Sequence, residues 1–265
     1  MSALKYSGSV PEHYDRENGP VLFTPYAKQF VGRLASLELP PQPRVLELAC
    51  GTGRLTAELC SHFPPEVHIV ATDLSEAMLS VGRGRVSGNV EWRQADMQAL
   101  PFSAESFDLV VAQFGLMLVP DRSKALSEAY RVLAPGGRLV FSVWSERSLL
   151  QQVSMDALTP FLSGMEATKL DHLRALPFSM ADTAAVLEDL VAVGLSSVTH
   201  ERLTLPVEQD EQVRHIARSM VFGTGCVGLI PEVQHEDAVR SVLEALIRSR
   251  PVLSEAILYS AQAGS

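Results

Sequence analysis

Long apolar runs are missing from this chain of 265 residues. None approaches the ~18 residues that a membrane-spanning helix requires, and Met1 to Gly8 lack the apolar core of a secretory signal. Cysteine is scarce: Cys50, Cys60 and Cys226 show neither paired metal-ligand spacing nor a disulfide framework. His13, His62, His68, His172, His200, His215 and His235 are likewise scattered without ligand spacing, so no metal is expected. Clusters of Lys or Arg are absent, and 22 basic residues against 31 acidic ones leave a net charge of -9. That balance argues against a nucleic-acid backbone, which needs a clustered basic face. Internal repeats and low-complexity tracts are also lacking. The absences together describe a protein expected in the reducing cytoplasm, without a membrane span, acting on a small molecule as monomer or homodimer.

What is present is enough apolar material for a sizeable core: 46% hydrophobic against 20% charged residues. After the breaker Pro40-Pro41-Gln42-Pro43, the run Val45–Ala49 is apolar except for Glu47, as a buried strand would be. Gly51-Thr52-Gly53 then forms a tight turn, and Arg54 onward has the spacing of an amphipathic helix. A strand, a glycine turn and a helix start place free backbone N–H groups where a ligand can approach closely.

The rest of the chain repeats the alternation. Val67–Thr72 reads as a second strand ending at Asp73, with Ser75 as N-cap of a helix over Glu76–Arg83. Val90–Ala95 is a third strand ending at Asp96, and Phe107–Ala112 a buried fourth ending at Gln113-Phe114. A helix over Asp121–Leu133 is expected to stop at Pro135-Gly136-Gly137, ahead of a fifth strand, Arg138–Trp144. Residues 1–20 are polar and turn-rich, and Phe23–Leu37 has helical spacing. Beyond the fifth strand come a helix over 147–165, a polar connection, a helix over Ala181–Val193, a sixth strand Ser197–Val207, helices over Glu211–Phe222 and Glu236–Ser249, and a closing strand Glu255–Ala263. This pattern implies an α/β fold: a doubly wound, seven-stranded, mostly parallel sheet, with helical additions at 147–180 and 208–252 placed as a lid.

In such sheets ligands bind beyond the carboxyl ends of the strands, where the winding reverses. Those ends carry Glu47 to Gly53, Asp73, Asp96 with Met97, and Gln113 with Phe114. A dinucleotide turn calls for Gly or Ala where Thr56 stands, and no Gly-Lys-Ser/Thr phosphate loop is present. A ligand without phosphates suits the turn better. A carboxylate at Asp73 can accept two hydrogen bonds from ribose hydroxyls, and one at Asp96 can accept from an exocyclic amine.

Glu47-Leu48-Ala49-Cys50-Gly51-Thr52-Gly53, Asp73, Gln94–Phe102, Phe107-Asp108-Leu109-Val110, Phe114-Gly115-Leu116 and Arg131–Gly137 stand in an order and spacing that resemble the class I S-adenosylmethionine-dependent methyltransferases. The nearest flavour is the branch of ubiquinone and menaquinone biosynthesis methyltransferases and their small-molecule relatives. The resemblance covers residues 40–145 and implies a Rossmann-like fold, S-adenosyl-L-methionine as cofactor and S-adenosyl-L-homocysteine as product. It implies that Ala49, Gly51, Thr52 and Gly53, with Glu47, meet the methionine part. Asp73 would hold the ribose, with Leu74 and Met78 beside the adenine; Asp96 and Met97 would meet the adenine amine and face; Gln113 and Phe114 would line the side near the methyl. Tyr14 would close over the cofactor from the N-terminal segment. The family often carries Asp where Cys50 stands.

One methyltransferase domain, 1–265, is expected: an N-terminal helical cap at 1–40, a cofactor-binding core at 41–146 and a substrate and lid region at 147–265. Methyl transfer to an oxygen, carbon or nitrogen of a quinone-like or secondary-metabolite acceptor is the favoured reading. A cofactor-binding module, or a non-methyl reaction in the same pocket, is the alternative; Thr56 disfavours a nucleotide-dependent oxidoreductase. His13 and Tyr14 are the catalytic candidates because their segment can fold over the cofactor, with His172 and His215 in the lid segments behind them. Asp108 is expected to contact backbone at a strand start.

Overall fold

Seven strands lie in one open sheet in the order β3-β2-β1-β4-β5-β7-β6 in the computed structural model, which describes residues 8–146, 148–162 and 165–264. In chain order the elements are α1 (Val10–His13), α2 (Thr24–Leu34), β1 (Val45–Leu48), α3 (Arg54–His62), β2 (Ile69–Asp73), α4 (Glu76–Arg85), β3 (Val90–Gln94), β4 (Phe107–Gln113), α5 (Arg122–Val132) and β5 (Leu133–Trp144). There follow α6 (Leu149–Leu158), α7 (Ala167–Ala175), α8 (Thr183–Ala192), β6 (Leu195–Val207), α9 (Asp210–Phe222), α10 (His235–Arg248) and β7 (Val252–Ala263). β3, β2, β1, β4 and β5 are parallel; β7 inserts antiparallel between β5 and β6. The winding reverses between β1 and β4, so their carboxyl ends border the crevice in which such sheets bind ligands.

The central strands are apolar because helices cover both faces. Every residue of β1 is buried, including Glu47. Helix starts follow the expected chemistry: Ser75 Oγ accepts from the Met78 N–H at 3.3 Å, and Asp121 accepts from the Lys124 N–H at 2.9 Å. Asp108 accepts from the Arg44 backbone N–H at 2.8 Å and pairs with its guanidinium, a strand-start contact as expected.

Three expectations need correction. Residues 8–20 are not turn-rich; α1 runs into a π-helical stretch, Tyr14–Phe23, and on into α2. The prolines of this segment are accommodated. Pro11 and Pro25 sit in first turns, where an N–H is dispensable. Pro20 falls in the wide π stretch, whose last bond runs from the Thr24 N–H to the Gly19 carbonyl. Pro135-Gly136-Gly137 does not precede the fifth strand but lies inside β5, where Gly136 at φ +75° accompanies a shift of register against β4. The connection after α6 is helical, as α7, although no α7 residue is buried. Of the helix expected over 147–165, positions 147, 163 and 164 lie outside the described residues.

The N-terminal helices belong to the core. Tyr26, Phe30 and Leu34 of α2 are at most 1% exposed. The Tyr26 hydroxyl donates to Ser254 Oγ of β7 at 3.0 Å. α9 packs on the π-helical stretch and α10 on α6, so the late helices stand on the same side as the cap. Among the described residues, no helix is long and apolar enough to cross a membrane. Because Tyr26→Phe leaves Ser254 Oγ without its partner in a dry site, it should lower unfolding free energy by about 1–2 kcal/mol, read from urea midpoints at constant m.

Candidate functional site

Three residues in five adopt left-handed backbone where β1 ends: Ala49 at φ +50°, Gly51 at +57° and Gly53 at +76°. Such geometry costs an L side chain about 1–2 kcal/mol, which explains glycine at two of the three. The two glycines are needed for different reasons. A Cβ on Gly53 would stand 2.8 Å from Trp92 Cη2 and 3.2 Å from Val86 Cγ2, whereas one on Gly51 would meet nothing within 4 Å. Gly53 seals the turn against α4 and β3; Gly51 faces open space.

Asp73, at the end of β2, holds that turn in place. Its two carboxylate oxygens accept from the Gly51 N–H and the Ser75 N–H, both at 2.8 Å. It is half-buried; burial pushes its pKa above the usual carboxylate value, while the N–H groups of Ser75, Gly51 and Leu74 pull it back down. Leu74 beside it is 59% exposed, and Met78 on α4 is buried. At the end of β3, Asp96 accepts from the Gln98 backbone N–H at 2.8 Å and from its side-chain amide.

Glu47 behaves differently from these two acids. It is 1% exposed, and burial raises its pKa to about 8 against the 2.6 Å hydrogen bond that Thr56 Oγ1 donates to it. It is therefore protonated at neutral pH and adds no charge to the crevice. Thr56 stands where a dinucleotide turn would carry a glycine, and its hydroxyl serves this buried acid.

The exit from β4 is left-handed too, at Phe114 with φ +57°. Gly115 follows because a Cβ there would lie 2.4 Å from Ala49 Cβ: the two strand exits touch. Phe114 stacks on Trp144 at 3.7 Å between ring centroids, and Tyr26 meets both edge-on. Phe23 leans on this pair and stacks on Tyr14 at 4.7 Å. Gln113 donates to the Phe23 carbonyl at 3.1 Å, while its Oε1 is buried with no partner.

The π-helical stretch lies over the turn and is fastened there by Asp15, which sequence reasoning missed. Its carboxylate accepts from Thr52 Oγ1 at 2.8 Å, from Arg54 Nε at 2.9 Å and from Arg85. Arg54 also donates to the Asp15 carbonyl at 2.7 Å and to Thr24 Oγ1 at 3.3 Å. Tyr14, Phe23, Gly51, Thr52, Arg54 and Gln113 are among the residues enclosing a cavity of about 30 Å³ beneath this cap. The structure thus brings Tyr14 to the turn together with Glu47, Ala49, Gly51 and Thr52. His13 is turned away, stacked on Phe222 of α9 and bonded through Nδ1 to Arg16; burial and then Arg16 lower its pKa. His215 pairs through Nδ1 with the buried Glu17 at 2.7 Å, joining α9 to the cap. The sequence signal for Asp15 was the charged group 12–16; nothing local linked it to residues 37–70 positions away.

Residues 45–137 match the family model described as "Methyltransferase domain". The ubiquinone/menaquinone biosynthesis C-methyltransferase UbiE of Marinomonas sp. (strain MWYL1) is 36% identical over 173 residues, 60% of this chain and 69% of that protein. The demethylmenaquinone methyltransferase of Clavibacter sepedonicus is 37% identical over 171 residues, 61% of this chain and 69% of that protein. Among solved structures, the YcgJ protein of Bacillus subtilis superposes with a TM-score of 0.60 at 19% identity, covering 89% of this chain and 99% of that one, a likeness of fold.

Two outcomes test the local physics. Gly53→Ala should cost about 2–4 kcal/mol in urea unfolding, because both backbone and Trp92 oppose it, and Gly51→Ala only about 1–2 kcal/mol. For Glu47, the folded state keeps its proton up to about pH 8 while the unfolded chain releases it near 4.5. Folding therefore takes up a proton between those values, and stability falls as pH rises through that window. Unfolding midpoints of Glu47→Gln should decline less from pH 5 to pH 8 than those of the unaltered protein.

Proposed function

Since the chain belongs to the class I S-adenosylmethionine-dependent methyltransferases, and methylates a small molecule, we propose that its acceptor is an aromatic, quinone-precursor-like compound held beside Phe23, which lines the cavity with Phe114 and Trp144 packed behind it. The observation that carries this reading is the aromatic group at the carboxyl ends of β4 and β5, beside the glycine turn, where Phe114 stacks on Trp144 and Phe23 packs tilted against both. Flat apolar walls select a flat apolar ligand. The resemblance to quinone methyltransferases supports the same class.

The residues at the turn fit a sulfonium nucleoside. Gly51 leaves room for a close approach. Asp73 and Asp96 are half-buried carboxylates at neighbouring strand ends, suited to ribose hydroxyls and an adenine amine, with Leu74, Met78 and Met97 as apolar neighbours. Gln113 Oε1 is an orphaned acceptor for an ammonium group. Ala49, Thr52, Gly53 and Phe114 complete the border, with neutral Glu47 beneath. The cofactor supplies an electrophilic methyl group on a positively charged sulfur. This chain's share is to orient the acceptor in line and to exclude water, worth several kcal/mol of barrier. Tyr14 lines the cavity and is the better placed of the two N-terminal candidates to meet an acceptor proton; His13 faces α9.

We read the chain as one methyltransferase unit with a cap at 1–40, a core at 41–146 and a substrate region at 147–265. Three free cysteines suit the reducing cytoplasm. Calorimetry should give S-adenosylhomocysteine binding that Asp73→Ala weakens at least ~30-fold, since it removes the acceptors for the ribose hydroxyls together with the bonds that hold the Gly51 turn. In a panel of hydroquinones, catechols and aliphatic amines, S-adenosylhomocysteine release should follow the aromatic compounds and fall with Trp144→Ala. Release with amines alone refutes the acceptor class; no nucleoside binding to folded protein refutes the cofactor.

A further inference from the structure

The cavity under the cap has one cation among its lining residues, Arg54. That guanidinium is largely buried, with 15% of its side chain exposed against 12% for its partner Asp15. It also lies directly on the cap backbone: a Cβ at Gly19 would collide with the Arg54 guanidinium, so any side chain there would displace it. With the cap in this position the space, at about 30 Å³, has room for one or two water molecules at most. An amino-acid group of several heavy atoms does not fit until the cap moves.

From these contacts, and resting on the cofactor reading above, we propose that Arg54 receives the α-carboxylate of the cofactor's amino-acid part, and that Asp15 holds that place whenever the cap lies on the turn. A desolvated guanidinium is costly to leave unpaired, whereas replacing one carboxylate by another keeps its charge matched throughout. Glu47, the acid among the cavity's lining residues, is pushed by burial towards its neutral form and hydrogen-bonds Thr56, so it does not pair with Arg54. Asp15 does not become isolated by the exchange, since Arg85 also donates to it from α4. The same carboxylate therefore fastens the cap and reserves the binding position, and Thr52 Oγ1, released with it, becomes available to the ligand.

Paired ligands test this assignment. S-adenosylhomocysteine carries the amino-acid carboxylate and 5′-methylthioadenosine lacks it. Arg54→Gln should weaken the first by ~10-fold or more and the second by less than ~2-fold, since only one makes a charge-assisted bond to the guanidinium. Asp15→Asn should tighten S-adenosylhomocysteine several-fold by removing the competitor, and amides of residues 10–34 should exchange faster in the ligand-free variant. If Arg54→Gln alone fails to fold, the double variant Asp15→Asn/Arg54→Gln leaves that pair uncharged and gives the same comparison. Equal losses for the two ligands, or exchange unchanged by Asp15→Asn, overturn the proposal. Failure of the unaltered protein to bind either nucleoside refutes the cofactor reading itself, a result the exchange measurement on ligand-free protein keeps separate.

Discussion

Everything at the carboxyl edge of the sheet depends on the pair of 2.8 Å bonds by which Asp73 grips the Gly51 and Ser75 N–H groups. They tie the end of β2 to the turn after β1, where left-handed backbone is stored at Ala49, Gly51 and Gly53. That strain persists because its surroundings over-determine it. Trp92 closes the space behind Gly53, Ala49 is pressed against Gly115, and Thr56 secures Glu47 below. The turn can therefore present an open Gly51 to a ligand without itself changing shape.

Charge is distributed around this turn by burial as much as by composition. Of the acids beside it, Glu47 is neutral, Asp73 is held by backbone donors, and Asp15 is neutralised by two arginines. The net charge of -9 is thus a property of the surface and says little about the crevice. On the proposed reading, a sulfonium ligand would meet half-buried carboxylates on the nucleoside side and, on the amino-acid side, a guanidinium that Asp15 already pairs. Affinity there is a matter of exchange between partners rather than of adding new charges to a dry site.

The cap links that electrostatic arrangement to the acceptor side. Tyr14 and Phe23 belong to the same π-helical stretch as Asp15, so a shift of one moves the others. Phe23 rests on the Phe114–Trp144 stack, which β4 and β5 deliver from neighbouring positions at their ends. The contact between Glu17 and His215 then couples the stretch to α9. A single ten-residue segment therefore carries the contacts to Arg54, to the aromatic group and to α9.

Local order was legible in the chain itself. Alternation of strand and helix, the Ser75 cap, Asp108 as a strand-start contact and the glycine turn all rest on interactions within a few residues or on burial patterns of period two and 3.6. Motif order sufficed for the cofactor family. Tertiary structure alone decided the π-helical path through Pro20, because a proline reads as a breaker until its missing N–H is shown to be dispensable. It alone decided that Thr56 serves Glu47, that Glu47 is uncharged, and that Asp15 meets Arg54 and Arg85. Those outcomes depend on desolvation and on partners far apart in the chain, and neither quantity exists until the sheet has brought the strand ends together.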